Sequence, residues 1–349
     1  ELTELDAQLV ERNVGIVGIH GMGGMGKTAL ALVIAERWSE RFPDGQFYID
    51  LLGATVPMTS SEAMLHVIRS LDPTRPPPKT ENEVAAAYRS TLRGKRALLM
   101  MDNASGREQL EPLLPPEGCL LLITSRQRFA LPGLHSLSLA PLQQHESRAL
   151  IDTLAPHAAG VGERLAALCG GLPLALSLAG RALAERPDVS PTEYTSKLAD
   201  DSGRLRQLDA AGTSGGVEAS FDLSYGMLDT AQQQSLCALA VFPRHFDRAA
   251  AAAVWELSDE DADAQIGMLL RFHLLEWDGA GESARYRLHD LVKLFASARL
   301  AEADRARLQM RHAQHYLTLL TAMDRFAHAG KEEIAVAVVL LLLFLLDVL

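Results

Sequence analysis

The sequence predicts an α/β chain in which a three-layer domain with a mainly parallel sheet comes first and helical domains follow. Three observations predict this. Apolar runs alternate with helix-patterned segments over residues 14–139. The first of those runs breaks abruptly into glycines, a lysine and a threonine. Strand signals then cease from Gln143 until Phe272.

Residues 14–20 are apolar and β-branched, as a buried strand requires. They lead into Gly21, Met22, Gly23, Gly24, Met25, Gly26, Lys27 and Thr28, and from Ala29 to residue 38 the spacing is that of an amphipathic helix. Strand, loop and helix match the phosphate-binding P-loop in the context that the pattern needs. The glycines allow backbone N–H groups to surround a phosphate, and the helix start adds positive potential. Lys27 is placed to reach the terminal phosphates and Thr28 to hold magnesium.

Residues 46–51 have strand composition, and 60–71 form a helix with Ser60 or Ser61 as its cap. Residues 72–80 carry Pro73, Pro76, Pro77 and Pro78 and form a loop, and 81–92 return to helix. The block 97–103 is apolar until Asp102, an acid at the carboxyl end of a buried strand, where a P-loop protein keeps its second magnesium-associated carboxylate. A third run, 119–126, ends in Thr124, Ser125 and Arg126, with Arg128 two positions on. An arginine there can contact a terminal phosphate. Residues 135–139 complete about five strands joined by right-handed crossovers.

Beyond Gln143, segments 146–154, 162–169 and 172–185 read as helices, with Pro173 in the first turn of the last. Residues 203–216 are polar and glycine-bearing, a candidate linker. Helical patterns at 232–241, 249–257 and 261–270 precede a hairpin formed by 274–277 and 286–288, an order that resembles a winged helix. A helix over 291–300 follows, and over 307–326 an apolar stripe through Met310, Ala313, Tyr316, Leu317 and Leu320 suggests the start of a helical repeat array. The apolar block 334–346 is short for a membrane span; a buried helix, an interfacial segment and a low-complexity stand-in for a helix are its open readings.

The net charge of −11 argues against a surface that wraps nucleic acid. Cys119, Cys169 and Cys237 lack paired spacing, so neither a disulfide framework nor zinc is indicated, and they read as core thiols in a reducing cytoplasm. The chain begins without a methionine or a signal pattern, as a segment of a longer protein would.

Taken in order, Gly21 to Thr28, the Asp102 strand, Thr124-Ser125-Arg126, Gly171-Leu172-Pro173-Leu174 and Leu288-His289-Asp290 resemble the NB-ARC branch of the STAND signal-transduction ATPases, in the form found in actinobacterial regulators. Leu288 stands where the family usually has methionine. The resemblance implies a P-loop domain over 1–140, a small helical domain over 141–212, a winged-helix domain over 213–300 and a helical segment over 301–349 that begins a sensor. It implies ADP or ATP with Mg2+ as ligands, Pro173 against the adenine or ribose, Arg126 as γ-phosphate sensor, and His289 on the β-phosphate of ADP. Exchange of ADP for ATP would open the chain and expose surfaces for homo-oligomerisation, in concert with effector and sensor domains of the same longer protein. Many family members carry a second acid after the first. Here that position is Asn103, which predicts slow or negligible hydrolysis, with Glu108 as the fallback base. The rival readings are a productive P-loop ATPase or kinase and a winged-helix DNA-binding transcription factor. The second needs basic residues that the acidic segment 261–270 lacks, so no direct nucleic-acid binding and no membrane association are expected.

Overall fold

The computed structural model describes residues 15–185, 188–201, 203–209, 216–278 and 284–328. The chain divides into two compact units, Glu1–Gln143 with Leu172–Leu174, and Gln144–Gly171 with Ala175–Leu349.

In the first unit β1 (Ile16–His20) leads through the glycine loop into α1 (Lys27–Trp38), followed by β2 (Gly45–Asp50), α2 (Ser60–Leu71), α3 (Glu81–Leu92), β3 (Ala97–Ala104), the short α4 (Arg107–Leu110), β4 (Leu120–Ser125) and β5 (Leu134–Ser138). The five strands are ordered β2-β3-β4-β1-β5, and every ladder is parallel. Successive side chains of a strand point to opposite faces, so each apolar run serves two cores. Leu98, Met100, Leu120 and Leu122 pack with Val17, Ile19 and the α1 residues Ala31, Ile34 and Trp38. Leu99, Met101, Leu121 and Ile123 pack on the other face with Val67 and Ile68 of α2 and Tyr88 and Leu92 of α3. Helices on both faces make the three layers that the sequence predicts, and explain why β3 and β4 read as unbroken apolar blocks rather than alternating ones.

One cap is corrected. Thr59, not Ser60 or Ser61, caps α2: its hydroxyl accepts the Glu62 N–H while Glu62 Oε2 accepts the Thr59 N–H at 2.9 Å. The reciprocal bonds satisfy two helix-start donors at once.

The second unit contains α5 (Gln144–Leu154), α6 (Gly162–Leu168), most of α7 (Pro173–Glu185), α8 (Pro191–Leu198), α9 (Arg204–Asp209), α10 (Val217–Tyr225), α11 (Thr230–Ala238), α12 (Arg248–Trp255), α13 (Asp259–Arg271), the antiparallel pair β6 (Glu276–Asp278) and β7 (Arg285–Arg287), α14 (Asp290–Ala298) and α15 (Glu302–His328). Phe246 bridges Tyr286 of β7. The segment read as a linker is in part helical, since α9 lies within it. Arg204 is buried and donates through Nε to Leu198 O at 2.7 Å, and the Asp209 carboxylate accepts the N–H groups of Val217 and Glu218 at the start of α10. These bonds join residues apart in sequence, which local composition does not reveal.

All three cysteines are buried and free. Burial pushes the Cys169 thiol up to about 12, and raises those of Cys119 and Cys237. The apolar block 334–346 lies outside the described residues. Among the described residues no helix is long and apolar enough to cross a membrane.

Candidate functional site

The P-loop takes the backbone form that its glycines permit. Gly24 and Gly26 have φ of 82° and 84°, in the left-handed region that a side chain disfavours. Gly26 is the N-cap of α1. Lys27 folds back over the loop, donating from Nζ to Gly21 O at 2.8 Å and Met22 O at 2.9 Å. Its side chain is nearly enclosed, with the residue only 7% exposed. Burial first, and then the Arg126 cation, lower its pKa to about 7, with Asp102 opposing both.

Asp102, 2% exposed, collects hydroxyl groups at the end of β3. Thr28 Oγ1 donates to its Oδ1 at 2.9 Å, Tyr48 OH donates to Oδ2 at 3.1 Å, and Thr124 Oγ1 donates to Oδ1. The sequence brings out Thr28 and Asp102; Tyr48 is missed. Its signal is register: Tyr48 and Asp50 of β2 pair with Met100 and Asp102 of β3, which places them on the face of the sheet that carries the P-loop.

The donor chemistry fits the ligands the motif implies. Thr28 and Asp102 supply adjacent hard oxygen atoms, suited to Mg2+ bound directly or through water. The buried Lys27 and the half-buried Arg126 both lie within electrostatic reach of Asp102, positive groups that suit a polyphosphate. Burial lowers the Arg126 pKa, and attraction to Asp102 partly offsets this.

Next to Asp102 the strand breaks its regularity. The β3–β4 register shifts between Met101 and Ala104, and Asn103 has φ of 54°, a conformation that asparagine tolerates better than most residues. Such a bulge re-aims a side chain. Asn103 N–H donates to Thr124 Oγ1 at 3.0 Å, and its side-chain Nδ2 donates to Asp50 Oδ1 at 3.2 Å. Gly53 lies against this bend, its N–H donating to Asn103 O at 2.7 Å. Glu108 is exposed on α4.

His20, fully buried at the end of β1, was also outside the expected set. Its Nδ1 lies 3.0 Å from Gln127 O, and the ring meets Phe129 edge-on at 4.8 Å. Burial lowers its pKa to about 4, so the neutral ring donates from Nδ1 and ties down the segment after Arg126.

The segment Leu172–Leu174, with Pro173 starting α7, belongs to the first unit and packs on the P-loop. Leu174 N–H donates to Gly24 O at 3.1 Å, and a Cβ on Gly24 would lie 3.0 Å from Leu174 Cβ. The first unit thus brings together Gly21 to Thr28, Ala29, Asp102, Arg126 and Pro173. His289 belongs to the second unit. There it caps α14, Nδ1 accepting the Leu291 N–H at 3.2 Å, which leaves Nε2 as the donor to Gly170 O at 2.8 Å. Gly170 and Gly171 have φ of 59° and 69°, and a Cβ on Gly170 would fall 2.6 Å from His289 Cε1. Glycine at 170 therefore leaves the space the imidazole occupies.

Residues 1–131 match the family model of the NB-ARC domain. The regulatory protein AfsR of Streptomyces coelicolor is 39% identical over 300 residues, covering 82% of this chain and 29% of that protein. The disease resistance protein RPS5 of Arabidopsis thaliana is 28% identical over 196 residues, covering 51% of this chain and 22% of that protein. A solved STAND protein with a tetratricopeptide repeat sensor, from Pyrococcus horikoshii, aligns with 97% of this chain and 49% of its own at 16% identity and a TM-score of 0.37. The chain spans 29% and 32% of the length of the AfsR proteins of two Streptomyces species.

Proposed function

The chain belongs to the NB-ARC family, and from that premise we propose that it is the ADP/ATP-dependent switch of a longer regulatory protein. The observation that carries this reading is the convergence of Lys27, Thr28, Asp102 and Arg126 around the mouth of the glycine loop. In it, the loop N–H groups and Lys27 hold the phosphates, Thr28 and Asp102 hold magnesium, and Arg126 reports a γ-phosphate. The metal, when bound, neutralises charge between the phosphates. Pro173 borders the base or ribose, carried by a segment already bonded to the P-loop.

A ligand shifts a switch only as far as its affinity differs between the two states. His289 supplies that difference in this proposal: its Nε2, held on Gly170 O in this structure, turns to the β-phosphate from a winged-helix domain and favours the ADP-held, closed state. The winged-helix reading draws on α11, α12, α13 and the β6–β7 pair, with Phe246 bridged to Tyr286. Its α13 carries Asp259, Glu260, Asp261 and Asp263, so the domain serves protein partners rather than DNA. Oligomerisation in the ATP state, effector and sensor domains beyond this segment, and a cytoplasmic setting complete the proposal.

The test is the nucleotide released when the purified protein is denatured, identified by chromatography. ADP retained without additive is expected, with His289→Ala losing ADP affinity about tenfold, the scale of one charge-assisted hydrogen bond, and ATP affinity much less. A protein that neither carries nor binds adenine nucleotide in calorimetry is not such a switch.

A further inference from the structure

A P-loop hydrolase needs a group that orients the attacking water, usually a carboxylate beyond the magnesium-associated acid. Asn103 is an amide and cannot accept that proton. Yet its Nδ2 is bonded to a carboxylate, Asp50 Oδ1, at 3.2 Å. Asp50 ends β2 in direct register with Asp102, two residues beyond Tyr48, whose hydroxyl is bonded to Asp102. Asp50 thus shares the sheet face of Asp102 and of the P-loop. Acid and amide have exchanged places across neighbouring strands, and the bulge at Asn103 lets them meet.

Resting on the switch reading above, we propose that Asp50 is the carboxylate that orients and deprotonates water when this chain cleaves ATP. Its Oδ1 is occupied, accepting from Asn103 and from the Leu52 N–H at 2.9 Å, whereas Oδ2 accepts no hydrogen bond among the described residues. A purely structural turn residue would need only the first oxygen. In the step, the water oxygen bonds to the γ-phosphorus as the bond from that phosphorus to the bridging oxygen breaks, its electron pair leaving with ADP. The water proton passes to Asp50 and then to the released phosphate. Asn103 is a positioning residue, fixing the Asp50 carboxylate through Nδ2. Glu108, exposed on α4, plays no part.

Asparagine at 50 keeps an acceptor for Leu52, so the fold has no reason to fail. Single-turnover ATP cleavage and calorimetric ADP and ATP binding are measured on wild type, Asp50→Asn and the exchanged pair Asp50→Asn/Asn103→Asp. Asp50→Asn should cleave about a hundredfold more slowly, the lower range for loss of a general base, with both affinities within about threefold of wild type. Protein purified as Asp50→Asn should release ATP on denaturation where wild type releases ADP. The exchanged pair should recover cleavage, because the carboxylate returns to β3 opposite an amide. Asn103→Asp alone should gain nothing, since two carboxylates in that contact repel. Cleavage by Asp50→Asn at the wild-type rate, loss of cleavage in Glu108→Gln instead, or a wild type that binds ATP without cleaving it would each overturn the assignment. A wild type that binds neither nucleotide would overturn the switch reading itself, and the assignment with it.

Discussion

Lys27 is a cation enclosed by carbonyl groups, and that arrangement carries a cost that ligand binding can relieve. With its pKa lowered to about 7 by burial and by Arg126, the free site holds its proton far less firmly than an exposed lysine does. A polyphosphate stabilises the ammonium and raises that pKa. Binding is therefore coupled to proton uptake, and affinity falls as pH rises from about 7 towards the pKa of the bound state. Calorimetry of ADP binding at pH 7.5 in buffers of different ionisation enthalpy should show uptake of a fraction of a proton, which vanishes in Lys27→Met. Uptake unchanged in that variant would assign the proton elsewhere, for example to a phosphate oxygen. His20 is the contrasting case, a buried imidazole kept neutral and used as a fixed donor to Gln127 O.

At the scale of elements, the bulge in β3 depends on a close backbone approach by the segment after β2. A Cβ on Gly53 would lie 2.3 Å from both Asn103 O and Ser105 N, backbone atoms that cannot turn aside. Gly53→Ala should cost about 1–3 kcal/mol, read by denaturant unfolding, as overpacking does elsewhere. It should also weaken magnesium-dependent nucleotide binding, because Asp102 and Asn103 share the displaced bend. An unfolding midpoint equal to wild type would show that the bend gives way freely. Much of this unit was legible in the sequence: the parallel strands, the P-loop, Asp102 and Arg126 announce themselves through contiguous runs and fixed spacing. The boundaries of α2 and α3 were too, since their apolar spacing and flanking breakers are local. Tyr48, Asp50 and His20 were not, because their meaning lies in pairing between strands and in burial, which no local pattern records. The Asp209 bonds that start α10 escaped for the same reason, and so did the cap at Thr59, one residue outside the apolar pattern.

For the whole molecule, the two units hold different parts of the proposed machinery, the P-loop with Leu172–Leu174 in one and His289 with Gly170 in the other. The peptide between Gly171 and Leu172 is thus where the chain passes from the partner of His289 to the partner of Gly24. The buried thiols offer a way to watch the units separately. Cys119 belongs to the first, Cys169 and Cys237 to the second, and all are shielded with pKa values raised by burial. Alkylation under native conditions must wait for local opening, so each cysteine is a clock set by the part of the fold that encloses it. Saturation with ADP at about a hundred times Kd should slow a clock governed by full opening of the nucleotide-binding unit about a hundredfold. If ADP clasps both units, Cys169 and Cys237 slow along with Cys119. If Cys119 alone slows, the nucleotide stabilises its own domain and nothing more. Three thiols that looked like inert core packing thereby time the opening of the fold, one unit at a time.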